Sequence, residues 1–411
     1  MTVQQRLAAF ASRVRAQQDA PSGQGFAIVD APAVGSHGVA VRDGHALARA
    51  LTELCPGDRE RMPLFFDLET TGLSVDAPAF VIGLLGFDPH GEPWLKQLRL
   101  DGRAHEGALW RELHALVAAH AQRGRLVTYN GASFDRTIAR LRLRRLGRWD
   151  DRVAALFDAH HVDLLPVCRR LWRATLPDHR LVTLERDVLR ATRRDDPPGS
   201  EIARLGAAWI DGARDRSTSA GVDAVLRHNA DDLLGLAALV HACARVLAAP
   251  RKLAEAIGAA RQLQRTQRSL AALAVLRPWV ARDPPKPAHA MSIDAAVMLA
   301  VLERRHGDRD RAHALWQLVR HAAPDHHEAV LALAKDFEHR LRSPARALAV
   351  LEAIAAEGSV AQRVARLTAK LGQPPSPAPA VDRPVDAARP ALPGTWRARP
   401  RPPAPSARRL V

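Results

Sequence analysis

Apolar positions follow two different rhythms along this chain. Between residues 64 and 130 they come in short runs bounded by Gly, Pro, Asn and Asp, as buried strands do. The runs at 64–68, 80–87, 94–100 and 126–129 predict four strands, and residues 106–121 predict a helix between the last two. From 222 to 247 the period changes to three and four residues, which predicts one long helix capped by Ser217 or Ser219. Its buried stripe runs Val225, Asn229, Asp232, Leu236, Leu239, Cys243. Strands followed by alternating helices fit an α/β fold with a mixed sheet flanked by helices. Upstream, residues 1–18 read as an amphipathic helix on which Val3, Leu7, Phe10 and Val14 align, and 26–29 and 39–41 read as short strand-like pieces. Residues 1–60 are therefore set apart as an N-terminal extension, and 61–249 as the main domain.

Past Pro250 the chain is Ala- and Leu-rich and helical, and this second domain extends to residue 371. Residues 296–315 align with 329–348 at an offset of 33, pairing Leu299-Ala300 with Ala332-Leu333 and Ala314-Leu315 with Ala347-Leu348. Gly307-Asp308 and Ser343-Pro344 mark turns between helices. An earlier copy around 270–276 is interrupted by Pro284-Pro285. A period near 34 with helix pairs resembles tetratricopeptide repeats, which would give a docking surface for a protein partner. Residues 372–411 form a Pro/Ala/Arg-rich tail whose only acids are Asp382 and Asp386, the composition of a disordered basic segment.

The candidate chemistry sits where the strands end. Alternation along 64–68 sends Asp67 and Glu69 to the same face, where two like charges need a cation between them. Hard carboxylate oxygens suit Mg²⁺ or Mn²⁺. An isolated Asp-x-Glu is more often a strand running into a polar turn, so the metal reading depends on two further motifs downstream in the chain. The run 126–129 enters an Asn130-Gly131 turn and then a helix that carries Asp135 in its first turn. On the long helix, Asp232 falls inside the buried stripe, where an unpaired carboxylate costs several kcal/mol, and His228 lies one turn before it. Asp231 falls off the stripe and is expected to be solvated.

In this order, Asp-x-Glu, then Asn-Gly-x-x-Phe-Asp, then a helical Asp, the motifs resemble those of the DEDD exonuclease superfamily and its ribonuclease H-like fold. Stretches 79–83, 161–172 and 184–199 make the YprB-type domain the nearest likeness, over roughly residues 60 to 245. The resemblance implies a metal-dependent 3′→5′ exonuclease in which Asp67, Glu69, Asp135 and Asp232 hold two divalent ions, with His228 as general base. The family's His usually stands five residues before the last Asp and its Tyr four; His228 stands at the spacing of the Tyr. Thr70, Asn130, Phe134, Arg136 and Arg140 are expected to face the nucleic acid.

Charge agrees with a polyanionic partner: the 411 residues carry a formal net charge of +16 and a pI near 11.1. Arg136, Arg140, Arg142, Arg144, Arg145 and Arg148 follow Asp135, and guanidinium suits phosphate. Aromatics are 4% of residues, so contact with the backbone outweighs base stacking. DNA and RNA both remain open. Cys55, Cys168 and Cys243 are too few and too scattered for a disulfide framework. With no signal-peptide or membrane-span pattern, the expectation is a cytoplasmic protein with no membrane partner. The competing reading is a non-catalytic nucleic-acid-binding protein, or a scaffold acting through its helical repeats.

Overall fold

The computed structural model describes residues 25–31, 35, 40–57, 61–193, 195–355 and 357–372. The helix expected over 1–18 and the basic tail beyond Gly372 lie outside these residues. The chain divides into two compact units, Met1–Ala248 and Ala249–Val411.

The first unit is built on six strands: β1 (Phe26–Ala31), β2 (Met62–Thr70), β3 (Ala79–Phe87), β4 (Pro93–Leu100), β5 (Gly124–Thr128) and β6 (His161–Asp163). Their order in the sheet is β1-β4-β3-β2-β5-β6. The first four are antiparallel to their neighbours, and β5 and β6 add in parallel beside β2. Nine buried residues in a row along β3 mean that both faces are covered. On one face lie α2 (Glu106–His120) and α3 (Asp135–Arg145), whose Leu109, Trp110, Leu113, Ile138 and Leu143 pack with Leu64, Phe66 and Leu68. On the other, the long helix α8 (Arg216–Ala248) crosses β2, β3 and β4 and packs against α1 (Gly44–Leu54). The unit is completed by α4 (Asp151–Ala154), α5 (Leu164–Trp172), α6 (Leu181–Leu184) and α7 (Gly199–Ile210).

Two expectations are corrected, and one strand goes unforeseen. Residues 26–54 are not a separate extension: β1 pairs antiparallel with β4, and α1, capped by the Asp43 carboxylate on the Ala46 amide, packs on α8. The long helix is capped by neither serine; Asp215 Oδ1 accepts the amides of Ser217 and Thr218 at 2.9 and 3.0 Å, so the helix begins at Arg216. At three residues, β6 is too short to show a period, and pairing with β5 makes it a strand.

The second unit is helical: α9 (Leu253–Arg265), α10 (Ser269–Arg282), α11 (Ala290–His306), α12 (Arg309–Ala322), α13 (His327–His339), α14 (Pro344–Leu351) and α15 (Gly358–Leu371). The segments aligned at an offset of 33 fall on the pairs α11/α12 and α13/α14, with turns at 307–308 and before Pro344. Pro284 and Pro285 lie in the connection between α10 and α11, so they bound a further pair, α9/α10, rather than interrupt one. No single helix among the described residues is long and apolar enough to cross a membrane.

Candidate active site

Strand alternation does to β2 what the sequence predicts. Leu64, Phe66 and Leu68 enter the core under α2 and α3, and Asp67 and Glu69 turn to the face covered by α8. There Asn229 Nδ2 donates to Asp67 Oδ2 at 2.8 Å. Asn229 is in turn held by Gln97 Nε2, which donates to its Oδ1 at 2.9 Å and to the Leu226 carbonyl at 2.7 Å. Gly83 lies opposite both Asp67 and Gln97 in the sheet, and a Cβ there would meet Asn229 Oδ1 at 2.1 Å. The missing side chain on β3 is therefore what lets Asn229 reach across to the acid.

Asp135 opens α3 and is buried, and the backbone at Asp135 itself and at Leu68, the residue between the two strand acids, draws its carboxyl pKa down against the burial that raises it. The acids repel one another. Burial first, then Asp232, Glu69 and Asp135, hold the Asp67 carboxyl well above the usual range. Burial, then Asp232 and Asp135, do the same to Glu69. Burial lifts Asp135 to about 7. Buried carboxyl groups raised and crowded this closely mark a candidate functional site.

His228 and Asp232 project from α8 one turn apart, as their spacing requires. The His228 Nε2 lies 3.5 Å from Asp232 Oδ2 and 3.8 Å from Glu69 Oε1. Its Nδ1–H donates to Asp196 Oδ1 at 2.6 Å, which leaves Nε2 as the nitrogen facing the acids. Burial opposes the imidazolium, but Asp232 and Asp196 outweigh it and raise the His228 pKa. Ligand atoms of Glu69, His228 and Asp232 all lie within 4.8 Å of one another. Carboxylate oxygens with an imidazole at this separation fit a divalent cation, and Asp67 and Asp135 supply further hard oxygens beside them.

The other expected residues fall differently. Thr70 Oγ1 donates to the Gly72 carbonyl at 2.7 Å, closing the turn after β2. Asn130 adopts a left-handed backbone (φ 62°), and Asp163 holds its amide at 2.9 Å and that of Ala132 at 3.1 Å, which fixes the turn before Asp135. Phe134 is half-buried against the core. Arg136 leans toward Asp158 at 3.6 Å, and Arg140 is half-buried on α3. Arg142 is no phosphate ligand: it is buried, pairs with Glu106 at 2.8 Å and donates to the carbonyls of Val75, Asp76 and Ala77. Asp231 is corrected as well. It is buried, on a flank of α8 covered by the segment carrying Glu185, whose carboxyl it helps to raise. Sequence reasoning missed Arg193, Glu185 and Asp196: Glu185 stands in a short helical stretch directly after α6, and Arg193 and Asp196 lie outside helix and strand, where there is no periodic signal. Arg193 pairs with Asp232 and Glu185, and Asp196 with His228.

Two comparisons bear on this arrangement. Residues 64–244 match the model of the RNase_H superfamily. The uncharacterized protein YprB of Bacillus subtilis (strain 168) is 29% identical over 299 residues, spanning 70% of this chain and 68% of that protein. The matched family domain contains all four acids and His228.

Proposed function

Because residues 64–244 form an RNase H superfamily domain with these acids at its centre, we propose that the protein is a metal-dependent nuclease acting as a DEDD-type 3′→5′ exonuclease. The observation that carries the proposal is the grouping of Glu69, Asp232 and His228 within 4.8 Å, beside the repelling acids Asp67 and Asp135. Asp67, Glu69, Asp135 and Asp232 would hold two divalent cations, Mg²⁺ or Mn²⁺. Bound there, the ions supply the charge that neutralises the carboxylates and phosphate and acidifies water.

The chain's own residues do the rest. His228 presents Nε2 to the acids and takes the proton of the attacking water, while Asp196 fixes the ring by its Nδ1–H. Asn229 keeps Asp67 turned toward the cleft. The turn fixed by Asp163 sets the start of α3 and with it Asp135. Arg136 and Arg140 are the proposed phosphate contacts, and the helical unit is proposed to dock a protein partner. The order of the three motifs supports exonuclease action and its polarity.

The test uses single- and double-stranded DNA and RNA labelled at either end, incubated with Mg²⁺, Mn²⁺ or EDTA. A 5′-labelled strand should shorten progressively, and EDTA should stop the reaction. Discrete internal cuts would replace exonuclease with endonuclease, and inertness with every substrate would reject the nuclease reading.

A further inference from the structure

Arg193 is a charged residue buried inside an acidic cleft, and nothing in the proposed reaction requires it. Its side chain is 3% exposed. Nε and Nη2 donate to Glu185 Oε2 and Oε1 at 2.7 and 2.6 Å, a two-pronged grip on a carboxylate that is itself 1% exposed. Nη2 also pairs with Asp232 Oδ1. Nη1 lies 3.6 Å from Asp196 Oδ1 and 3.2 Å from His228 Nδ1. Room for the pair comes from α8: a Cβ on Gly235 would meet Glu185 Oε1 at 2.0 Å. Glu185 aims the guanidinium, Gly235 admits Glu185, and the free edge of the fork meets one oxygen of Asp232.

We propose that Arg193, held by Glu185 in a notch kept open by Gly235, is a positioning residue that serves as the resident cation of the acid cluster and sets its metal affinity. It would let the cluster fold without metal, and it would keep bound ions exchangeable by occupying one oxygen of Asp232 with positive charge. The inference rests on the metal-binding reading. Its physical basis is that a like charge a few ångströms from a cation weakens binding, whereas an unneutralised group of buried carboxylates destabilises the fold.

The test is Mn²⁺ binding by calorimetry together with melting in EDTA, on the full chain. Variants are Arg193→Met, which keeps bulk and removes charge, and Arg193→Met with Glu185→Gln, which spares Glu185 its lost partner. Arg193→Met should lower the metal-free melting temperature by roughly 5–10 °C. The double variant should recover part of that loss and bind Mn²⁺ about tenfold or more tightly than wild type. Arg193→Lys keeps the charge but not the fork, and should bind Mn²⁺ close to wild type while melting lower than wild type in EDTA. Gly235→Ala closes the notch without changing charge and should lower the metal-free melting temperature. If the double variant binds Mn²⁺ as wild type does, or more weakly, the inference is overturned. If wild type itself binds no Mn²⁺, the metal reading is what has failed.

Discussion

His228 is held from both sides, by Asp196 on Nδ1 at 2.6 Å and by Asp232 and Glu69 around Nε2. A base in that position assists but does not carry the reaction alone. His228→Ala should lower turnover by roughly 10²- to 10⁴-fold. The pH–rate profile should also lose the limb that belongs to the imidazole. Wild-type turnover with an unchanged profile would reduce His228 to a packing residue. Neighbouring Asp231 should behave differently: Asp231→Asn should keep its activity, because the ligand atoms that converge are those of Glu69, His228 and Asp232, and Asp231 is not among them. Loss of activity there, with Asp232→Asn unaffected, would invert the assignment of the two acids. The difference between them was only half legible in sequence. The stripe through Asn229 and Asp232 marks the face turned to the sheet, but a helical period says nothing about a second covering. Asp231 is buried because the segment carrying Glu185 closes another flank of α8.

At the scale of elements, the site depends on one small residue in β3. Gly83→Ala would force Asn229 away from Asp67, since the new Cβ would fall 2.1 Å from Asn229 Oδ1. Overpacking of this kind typically destabilises by about 1–3 kcal/mol. We expect a loss of that size in denaturant melts, accompanied by weakened hydrolysis. Asn229→Ala should weaken hydrolysis without the steric penalty, and unchanged activity in both variants would show that the link to Asp67 does not matter. Elements with strong periods were readable: β3, β4 and α2 begin and end within a residue of where the alternation and the helical pattern place them. The elements that escaped are set by tertiary contact. β6 spans three residues and exists by pairing with β5. β1 reads as an isolated fragment until β4 is beside it. Arg193 and Asp196 lie outside helix and strand, so their approach to α8 is a consequence of folding that no local pattern announces.

For the molecule as a whole, the crowded acids link stability to pH. The folded-state pKa values of Asp67, Glu69, Asp135, Glu185 and His228 are all raised, with Asp135 and Glu185 at about 7. A raised folded-state pKa means that the native protein binds more protons than the unfolded chain, so stability falls as pH rises between the two values. In EDTA the melting temperature of the first unit should therefore decline from about pH 5 to about pH 8, and Mn²⁺ should restore it at the upper end by replacing the lost protons with metal charge. A metal-free melting temperature that rises over that interval would contradict the picture. The central claim, that four acids from β2, α3 and α8 form one metal-dependent hydrolytic centre, is tested most directly by hydrolysis of a 5′-labelled single strand across a Mn²⁺ titration. Wild type would be compared with Asp67→Asn, Glu69→Gln, Asp135→Asn and Asp232→Asn. Metal-dependent cleavage by wild type, and its loss in each of the four folded variants, is the expected result. Cleavage that persists in EDTA, or that survives any two of the substitutions, would contradict it.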